Sequence, residues 1–419
     1  MRKIFNNMIW FPVILSLLAT YVLGKEAFYI VCLGCLVALI ALKHFKMPIP
    51  RIAGIGFLAF YAAYAFAEGI LYQYPLRDII RDMFYITEPI IVLVLGYVSY
   101  TCISNKKSIV YTVCVFSLLT AVGNVILALL TAGAGFGGLR SALSRSIELI
   151  SYGFILFFLD HFYHHNDFPT KVSDCAAIFM GANILFCMSR AIFVAAILSF
   201  LAVLAYMFAY LKMSSSRKFW RILFSTLGVL VGIIAVGLLV LPQQAIDEFV
   251  GKMLKSVTEI STNINFATKS DIVESWRGYE MAQAKMMFRE GNLFQQLFGY
   301  GAGKQIEVPV LATLYSDGRY GTTSPLLHNG YYTILIKGGL AGVASYILFF
   351  GSILWDGIKN RRTCYETIVH IYMCVYMLVT SYVIRGLMGQ GTDFWWTFII
   401  GYMFAELHYR KEGKWESAL

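Results

Sequence analysis

Apolar residues in this chain are gathered into long runs that short polar stretches separate. Each run is about twenty residues long, which is the length a helix needs to cross the hydrocarbon core of a bilayer. The pattern predicts twelve helical spans, at residues 8–24, 27–43, 53–72, 84–104, 108–131, 147–163, 173–188, 191–211, 220–241, 331–356, 364–384 and 393–408. Because the alternating strands of a membrane β-barrel are absent from the sequence, we expect an all-α polytopic membrane protein.

The charges divide unevenly between the two sides of this predicted bundle. Loops on the side of the N-terminus hold 18 basic residues, whereas the short loops on the opposite side hold seven. The positive-inside rule therefore predicts that both termini are cytoplasmic. Only 14% of the residues are charged, against about a quarter in a soluble protein. This composition excludes a cytosolic enzyme, and the net charge of +10 follows from the topology, so no nucleic acid partner is expected.

One connection is far longer than the others and divides the chain into three parts. Residues 1–241 hold spans one to nine, residues 242–327 form an 86-residue outer loop, and residues 328–419 hold spans ten to twelve and a cytoplasmic tail. Helical spacing in the loop predicts an amphipathic helix over 246–260 and a second helix over 271–289. A glycine-rich turn at 299–303 lacks the spacing of a phosphate-binding loop, so a nucleotide site is not expected.

Arginine recurs on the outer side, where the positive-inside rule disfavours basic residues. Arginine presents a planar fork of donors that suits phosphate oxygens, so the bias predicts a bound anion. The candidates are Arg77, Arg81, Arg140, Arg145, Arg190, Arg277 and Arg319. Arg190 is the sharpest of them, because it interrupts an apolar stretch at membrane depth. Each candidate also has a plain alternative. Arg190 could be a simple topology marker, and Arg77 and Arg81 could form helical ion pairs with Asp78 and Asp82. Arg140 and Arg145 could lie in a loop that merely turns.

Two residues could handle a proton. Glu280 lies one helical turn after Arg277, so the pair is either an ordinary ion pair or a cation beside a base. His328 and Asn329 directly precede a span, and a histidine at the mouth of a bundle can be a general base or a donor to an anion. The sequence leaves both roles open. Cys32 and Cys35 lie within a span without a second ligand pair, so neither a metal nor another cofactor is expected.

At these residues the chain resembles the O-antigen polymerase and ligase superfamily of bacterial envelope enzymes. The ligase-type signature is His, then Asn, Ser or Gln, nine residues, Gly, two residues, Gly, and then Gly, Thr or Tyr. His328-Asn329, Gly339 and Gly342 match it, and Val343 departs from its last position. Ser189-Arg190 resembles the first essential arginine of the family, and Arg277 resembles the second.

The resemblance implies a GT-C-like scaffold with its active site at the periplasmic face of the bacterial inner membrane. Donor and acceptor would be glycans on undecaprenyl diphosphate, and transfer would need neither metal nor nucleotide. Arg190, Arg277, His328 and Glu280 are expected to be catalytic, with Arg140, Arg145, Arg319, Asn329, Arg77 and Arg81 binding substrate. Val343 and the short C-terminal region favour a polymerase, with a chain-length-regulating copolymerase as a further partner, over a ligase acting on lipid A–core.

Two other classes remain as alternatives. A lipid-linked oligosaccharide flippase also has about twelve spans, but exporters usually show related halves and short loops. This chain has no visible symmetry between its halves and one large outer loop. A channel or a structural membrane protein is the second alternative.

Overall fold

A computed structural model describes the fold of most of the chain. It describes residues 25–43, 49–103, 107–131, 135–144, 146–163, 168–187, 189–210, 243–254, 269–309, 322–359, 365–384, 386–388 and 394–411, with six isolated positions between 220 and 235. Within these residues the chain is almost entirely helical, with one two-stranded sheet. The predicted all-α class is therefore confirmed.

Fifteen α-helices lie within the described ranges. In chain order they are α1 (Lys25–Leu42), α2 (Ile55–Leu71), α3 (Leu76–Cys102), α4 (Lys107–Leu130), α5 (Gly135–Leu143), α6 (Ile147–Tyr163), α7 (Thr170–Phe186), α8 (Arg190–Tyr210), α9 (Gln243–Leu254), α10 (Lys269–Glu274), α11 (Trp276–Glu290), α12 (Leu293–Phe298), α13 (Gly330–Lys359), α14 (Tyr365–Val383) and α15 (Phe394–Lys411). The strands are β1 (Ile306–Glu307) and β2 (Thr323–Ser324), and a 3-10 turn covers Gly386–Met388.

The predicted spans coincide with helices wherever the structure describes them throughout. The run 147–163 matches α6, whereas α3 begins eight residues before the predicted span 84–104 because its amphipathic first turns also fold as helix. Span 8–24 lies outside the described residues, as does most of 220–241. Among the described residues, four helices are long and apolar enough to cross a membrane: Ile109–Leu130, Ala191–Ala209, Gly330–Lys359 and Tyr365–Val383. The chain is thus a membrane-spanning protein, and the count of twelve spans stays a prediction.

Helices α3 and α15 pack closely against each other along their backbones. A Cβ added to Gly96 would lie 2.0 Å from the carbonyl oxygen of Phe398, and one added to Gly401 would lie 1.9 Å from that of Leu93. Glycine at both positions therefore allows the two backbones to touch, as is typical of helices packed in lipid. Around this contact the core is largely aromatic, with the fully buried ring of Trp396 stacked 4.6 Å from that of Tyr376.

Two hydrogen bonds establish which helix ends share one end of the bundle. The Tyr206 hydroxyl donates to the Gly357 carbonyl at 3.3 Å, near the C-terminal ends of α8 and α13. Because both helices are long and apolar enough to cross a membrane and end close together, they run in the same direction, and their first residues, Arg190 and Gly330, lie at the same end. The Asn329 side chain donates to the Tyr382 carbonyl at 2.7 Å, which places the end of α14 there as well. We refer to this end as the site end.

The long connection between α8 and α13 has more structure than its sequence predicted. The single helix expected over 271–289 is wrong in one respect: it divides into α10 and α11 at Ser275, whose backbone (φ −119°, ψ 36°) is not helical. Within the range predicted as one amphipathic helix, 246–260, the structure describes α9 only as far as Leu254. Strands β1 and β2 pair antiparallel, with Ile306 opposite Ser324, and this small hairpin was not predicted.

Candidate active site

His328 and Glu280 form the closest functional contact at the site end. The His328 Nδ1 atom lies 3.0 Å and 2.9 Å from the two carboxylate oxygens of Glu280. The backbone N–H of His328 also donates to Glu280 Oε2 at 2.9 Å. The carboxylate is buried, whereas the His328 side chain is 45% exposed. The pair therefore consists of an accessible imidazole that is hydrogen-bonded on its buried side to a carboxylate.

The contact determines which ring nitrogen is available to a substrate. An ionised carboxylate can only accept hydrogen bonds, so Nδ1 carries the proton that faces Glu280. In the neutral ring Nε2 then bears the free lone pair. Sequence reasoning had paired Glu280 with Arg277 or kept it as a base. In the structure the Glu280 oxygens accept hydrogen bonds from Trp276 and His328, and an ion pair with Arg277 stays a prediction.

The helix that presents Glu280 is anchored by its own small core. The indole N–H of Trp276 donates to Glu280 Oε1 at 2.9 Å, one turn earlier on α11. On the buried face, Tyr279, Ala284 and Met287 pack with apolar residues that come from α10, β1, the segment after β2 and α13. Because α11 is packed on several sides, the position of the Glu280 carboxylate is fixed before any substrate binds.

Asn329 has a structural task that its predicted role in substrate binding did not include. Its side-chain oxygen accepts from the backbone N–H of Tyr332 at 3.1 Å, and its side-chain nitrogen donates to the Tyr382 carbonyl. The first contact is an N-terminal cap of α13. The residue therefore fixes the start of α13 directly after His328, and its contact with substrate stays a prediction.

The glycine-rich turn at 299–303 has no backbone donor left for a phosphate. Its five N–H groups donate, in chain order, to the Gln295, Ile336, Lys337 and Ala65 carbonyls and to the Asp82 carboxylate, at 2.7–3.0 Å. Gly299, Gly301 and Gly303 all have φ between 81° and 98°, where a side chain would be strained. The turn is thus a wedge between α2, α3 and α13.

This wedge explains why α13 is broken at the glycine motif. Gly339 has non-helical backbone angles (φ 58°, ψ −160°). The carbonyls of Ile336 and Lys337 accept from the turn, and the Gly338 carbonyl accepts from the Tyr64 hydroxyl at 2.6 Å. The break therefore leaves these three carbonyls satisfied, as a low-dielectric environment requires. The half of α13 before the break begins directly after His328 and the cap Asn329.

A buried ion pair next to the turn was missed by the sequence reasoning. Lys337 on α13 pairs with Asp82 on α3, and both side chains are at most 1% exposed. Lys337 also donates to the Lys304 carbonyl at 3.0 Å, while Asp82 accepts from Gly303 N–H. The signal in the sequence was a lysine inside an apolar span, which demands a buried partner. The pair ties α3, α13 and the turn together.

Arg190 and Arg277, the two arginines that resemble the family pair, occupy the site end. Arg190 is the first residue of α8, directly after Ser189, whose carbonyl accepts from Phe193 N–H at 3.0 Å. Arg277 is half-buried in the first turn of α11, on the same helix as Glu280. Arg140 acts electrostatically on the Cys187 thiol, so it lies near the hairpin that leads into Arg190.

The remaining arginine candidates are less closely linked to His328. Arg81 pairs with Asp78 at 3.1 Å and approaches Asp82 at 3.5 Å, which confirms the ion-pair alternative for Arg81 alone. Arg77 is exposed on the same helix. Arg145 and Arg319 lie outside the described residues. A substrate contact of any of these four residues stays a prediction.

Two tyrosines, one in the turn and one in the loop before α3, keep their protons. Burial, with the nearby Tyr72, Tyr300 and Glu68, raises the pKa of Tyr74 to about 12. Burial, with the Glu290 and Tyr72 charges, also raises the pKa of Tyr300. The Tyr300 hydroxyl donates to the Met287 carbonyl at 2.8 Å. Both phenols are therefore neutral, and the Tyr300 hydroxyl joins the turn to α11.

A comparison with known protein families finds a match for part of the chain. Residues 175–347 match the family model described as O-antigen ligase (Wzy_C). The match contains Arg190, Arg277, Glu280, His328 and Gly339, and it confirms the resemblance to the O-antigen polymerase and ligase superfamily. It supports a membrane enzyme of O-antigen biosynthesis with glycosyltransferase-like activity, and it fits an integral protein of the inner membrane. No curated protein matches the chain.

Proposed function

We propose that the protein polymerises oligosaccharide repeat units carried on undecaprenyl diphosphate, at the periplasmic face of the inner membrane. The observation that carries the proposal is the His328–Glu280 pair, which holds an exposed imidazole at the same end of the bundle as Arg190. Such a pair suits transfer to a hydroxyl group, since a hydroxyl must lose its proton as it attacks. The GT-C-like scaffold, the twelve spans and the cytoplasmic termini form part of the same proposal.

The reaction is a single displacement that inverts the anomeric centre. The acceptor hydroxyl oxygen bonds to the anomeric carbon of the donor glycan while the bond from that carbon to the diphosphate oxygen breaks. The acceptor proton passes to His328 Nε2, and the diphosphate leaves with the electron pair. Glu280 stabilises the imidazolium that forms, because its carboxylate already accepts from Nδ1. Glu280 is thereby a positioning residue for His328.

Arginines stabilise the leaving diphosphate. Guanidinium groups held in a water-poor cleft can supply the electrostatic stabilisation that is often the largest catalytic contribution. Arg190 and Arg277 are the proposed clamp, with Arg140 and Arg319 in supporting positions. The turn at 299–303 is excluded from this role, since all five of its N–H groups are occupied. Among the described residues no cluster of His, Cys, Asp or Glu could hold a metal ion.

A ligase is the second candidate, and the description of the matched family favours it. Polymerase and ligase use the same donor and differ in the acceptor, so the surroundings of His328 suit either. Val343, at the last position of the ligase-type signature, supports the polymerase.

The glycans of a gene-deletion strain distinguish these functions. A polymerase predicts single lipid-linked repeats in the outer leaflet of the inner membrane, and restoration of long chains by the wild-type gene. Long lipid-linked polymer that is not attached to lipid A–core would instead identify a ligase. Single repeats trapped in the inner leaflet would identify a flippase and would contradict both transferase functions.

A further inference from the structure

The short helix α12 presents an apolar face that no part of the described chain covers. Its side chains Leu293, Phe294 and Leu297 are 73%, 52% and 41% exposed. The polar side chains of this segment are used locally. Asn292 and Gln295 form a reciprocal capping box, and Gln296 donates to the Gly291 carbonyl at 3.0 Å. The helix thus satisfies its polar groups internally and turns its apolar groups outward.

This helix lies beside the middle of two long helices, not beyond their ends. A Cβ added to Gly339 would lie 2.5 Å from the Leu297 carbonyl oxygen. Gly339 is nine residues into α13, or about 13 Å along its axis. The Phe298 ring is 5.9 Å from the ring of Tyr64, which lies seven residues before the end of α2, or about 10 Å. Helix α12 therefore lies beside the middle of α13, which is long and apolar enough to cross a membrane, and beside the shorter apolar helix α2.

The exposed face continues into exposed apolar side chains of α2 and α13. An aromatic chain runs from Phe294 to Phe298 at 5.1 Å, from Phe298 to Tyr64, and from Tyr64 to Phe60 at 5.0 Å. Phe60 is 53% exposed near the middle of α2. Leu340, which follows the break in α13, is 50% exposed. A span side chain exposed at this depth faces acyl chains, and the α12 face is part of the same surface.

We propose that α12 is inserted in the bilayer, with Leu293, Phe294 and Leu297 in contact with the acyl chains of the leaflet at the site end. The long loop, which the sequence placed wholly outside the membrane, then enters the membrane through α12 and the turn at 299–303. The buried ion pair of Asp82 and Lys337 holds that turn in place on its protein-facing side. The proposal concerns a lipid-binding surface and does not depend on the reaction proposed above.

The test places the photo-crosslinking residue p-benzoylphenylalanine at position 294. The full chain is reconstituted in nanodiscs of synthetic phosphatidylethanolamine and phosphatidylglycerol, irradiated, and analysed by mass spectrometry of the intact protein. The matched control carries the crosslinker at Glu307, which is exposed on β1. A crosslinker at Leu293 repeats the measurement, so that failure of one variant to fold does not end the test.

The expected result is a phospholipid adduct at positions 293 and 294 in at least a several-fold larger yield than at 307. Equal yields at all three positions would overturn the proposal, and so would the absence of adducts at 293 and 294 in folded protein. A crosslinked dimer in place of a lipid adduct would also overturn it, because the face would then bind a second copy of the chain.

Discussion

Replacement of Glu280 by Gln tests the proposed division of labour between Glu280 and His328. The carboxylate accepts hydrogen bonds from Trp276 Nε1, His328 N and His328 Nδ1 at 2.9–3.0 Å. A Gln side chain is almost the same size but has one accepting oxygen and one donating nitrogen. Its amide N–H then faces the imidazole and favours the tautomer with the proton on Nε2. The base is lost although the residue still fits.

The expected loss is large in catalysis and small in folding. Where the corresponding change is made in a serine protease triad, kcat falls by about 10⁴ because the imidazole adopts the wrong tautomer. His328 is 45% exposed, so water compensates in part and we expect a fall of about 10²–10⁴, or about 3–5 kcal/mol. Loss of one charged hydrogen bond costs the fold about 1.5–3 kcal/mol. KM should change little, since Glu280 is buried behind the imidazole.

The assay measures chain extension of a synthetic undecaprenyl-diphosphate-linked repeat by purified protein in nanodiscs. Glu290→Gln is the matched control, because Glu290 is exposed at the end of the same helix and should leave kcat unchanged. Folding of each variant is checked by its thermal stability. Full activity of Glu280→Gln would refute the positioning role, as would a loss that appears in KM alone.

Three further changes test the framework around the site. Asp82→Asn or Lys337→Met alone should cost about 3–5 kcal/mol, because the partner is left buried and unpaired; the double variant should cost less than the sum, and additive losses in thermal stability would contradict the pairing. Gly299→Ala should expose the turn to proteolysis, since its Cβ would lie 2.5 Å from the Lys337 carbonyl; an unchanged digestion rate would contradict the wedge. Trp276→Phe should lower kcat less than Glu280→Gln, because only one of the hydrogen bonds to Glu280 is lost. An equal loss of kcat in the two variants would contradict this prediction.

The sequence predicted those helices and motifs that depend on residues close together in the chain. Uninterrupted apolar runs predicted the helices, because a membrane imposes one length and one composition on every span. His328 and Gly339 were recognisable because both belong to one short sequence motif. Arg277 and Glu280 were placed on one helix for the same reason, although the break at Ser275 was not foreseen.

The parts of the fold and of the site that the sequence did not predict depend on contacts between residues that are far apart in the chain. Asp82 and Lys337 are separated by 255 positions, so no local pattern could pair them. The sequence left Glu280 either as an ion-pair partner of Arg277 or as a base, and its contact with His328 across 48 positions was not predicted. The turn at 299–303 was read as a turn, but its three helix partners follow only from the packed bundle.

The most direct test of the account is the activity of His328→Ala with and without free imidazole, in buffer containing a metal chelator. The wild-type protein should extend chains in this buffer. The variant should lose about 10²–10⁴ in kcat, and added imidazole should restore part of it, because the cavity left beside Glu280 can accept the same base. Undiminished activity of the variant would contradict the account, as would wild-type activity that vanishes with chelator and returns with magnesium.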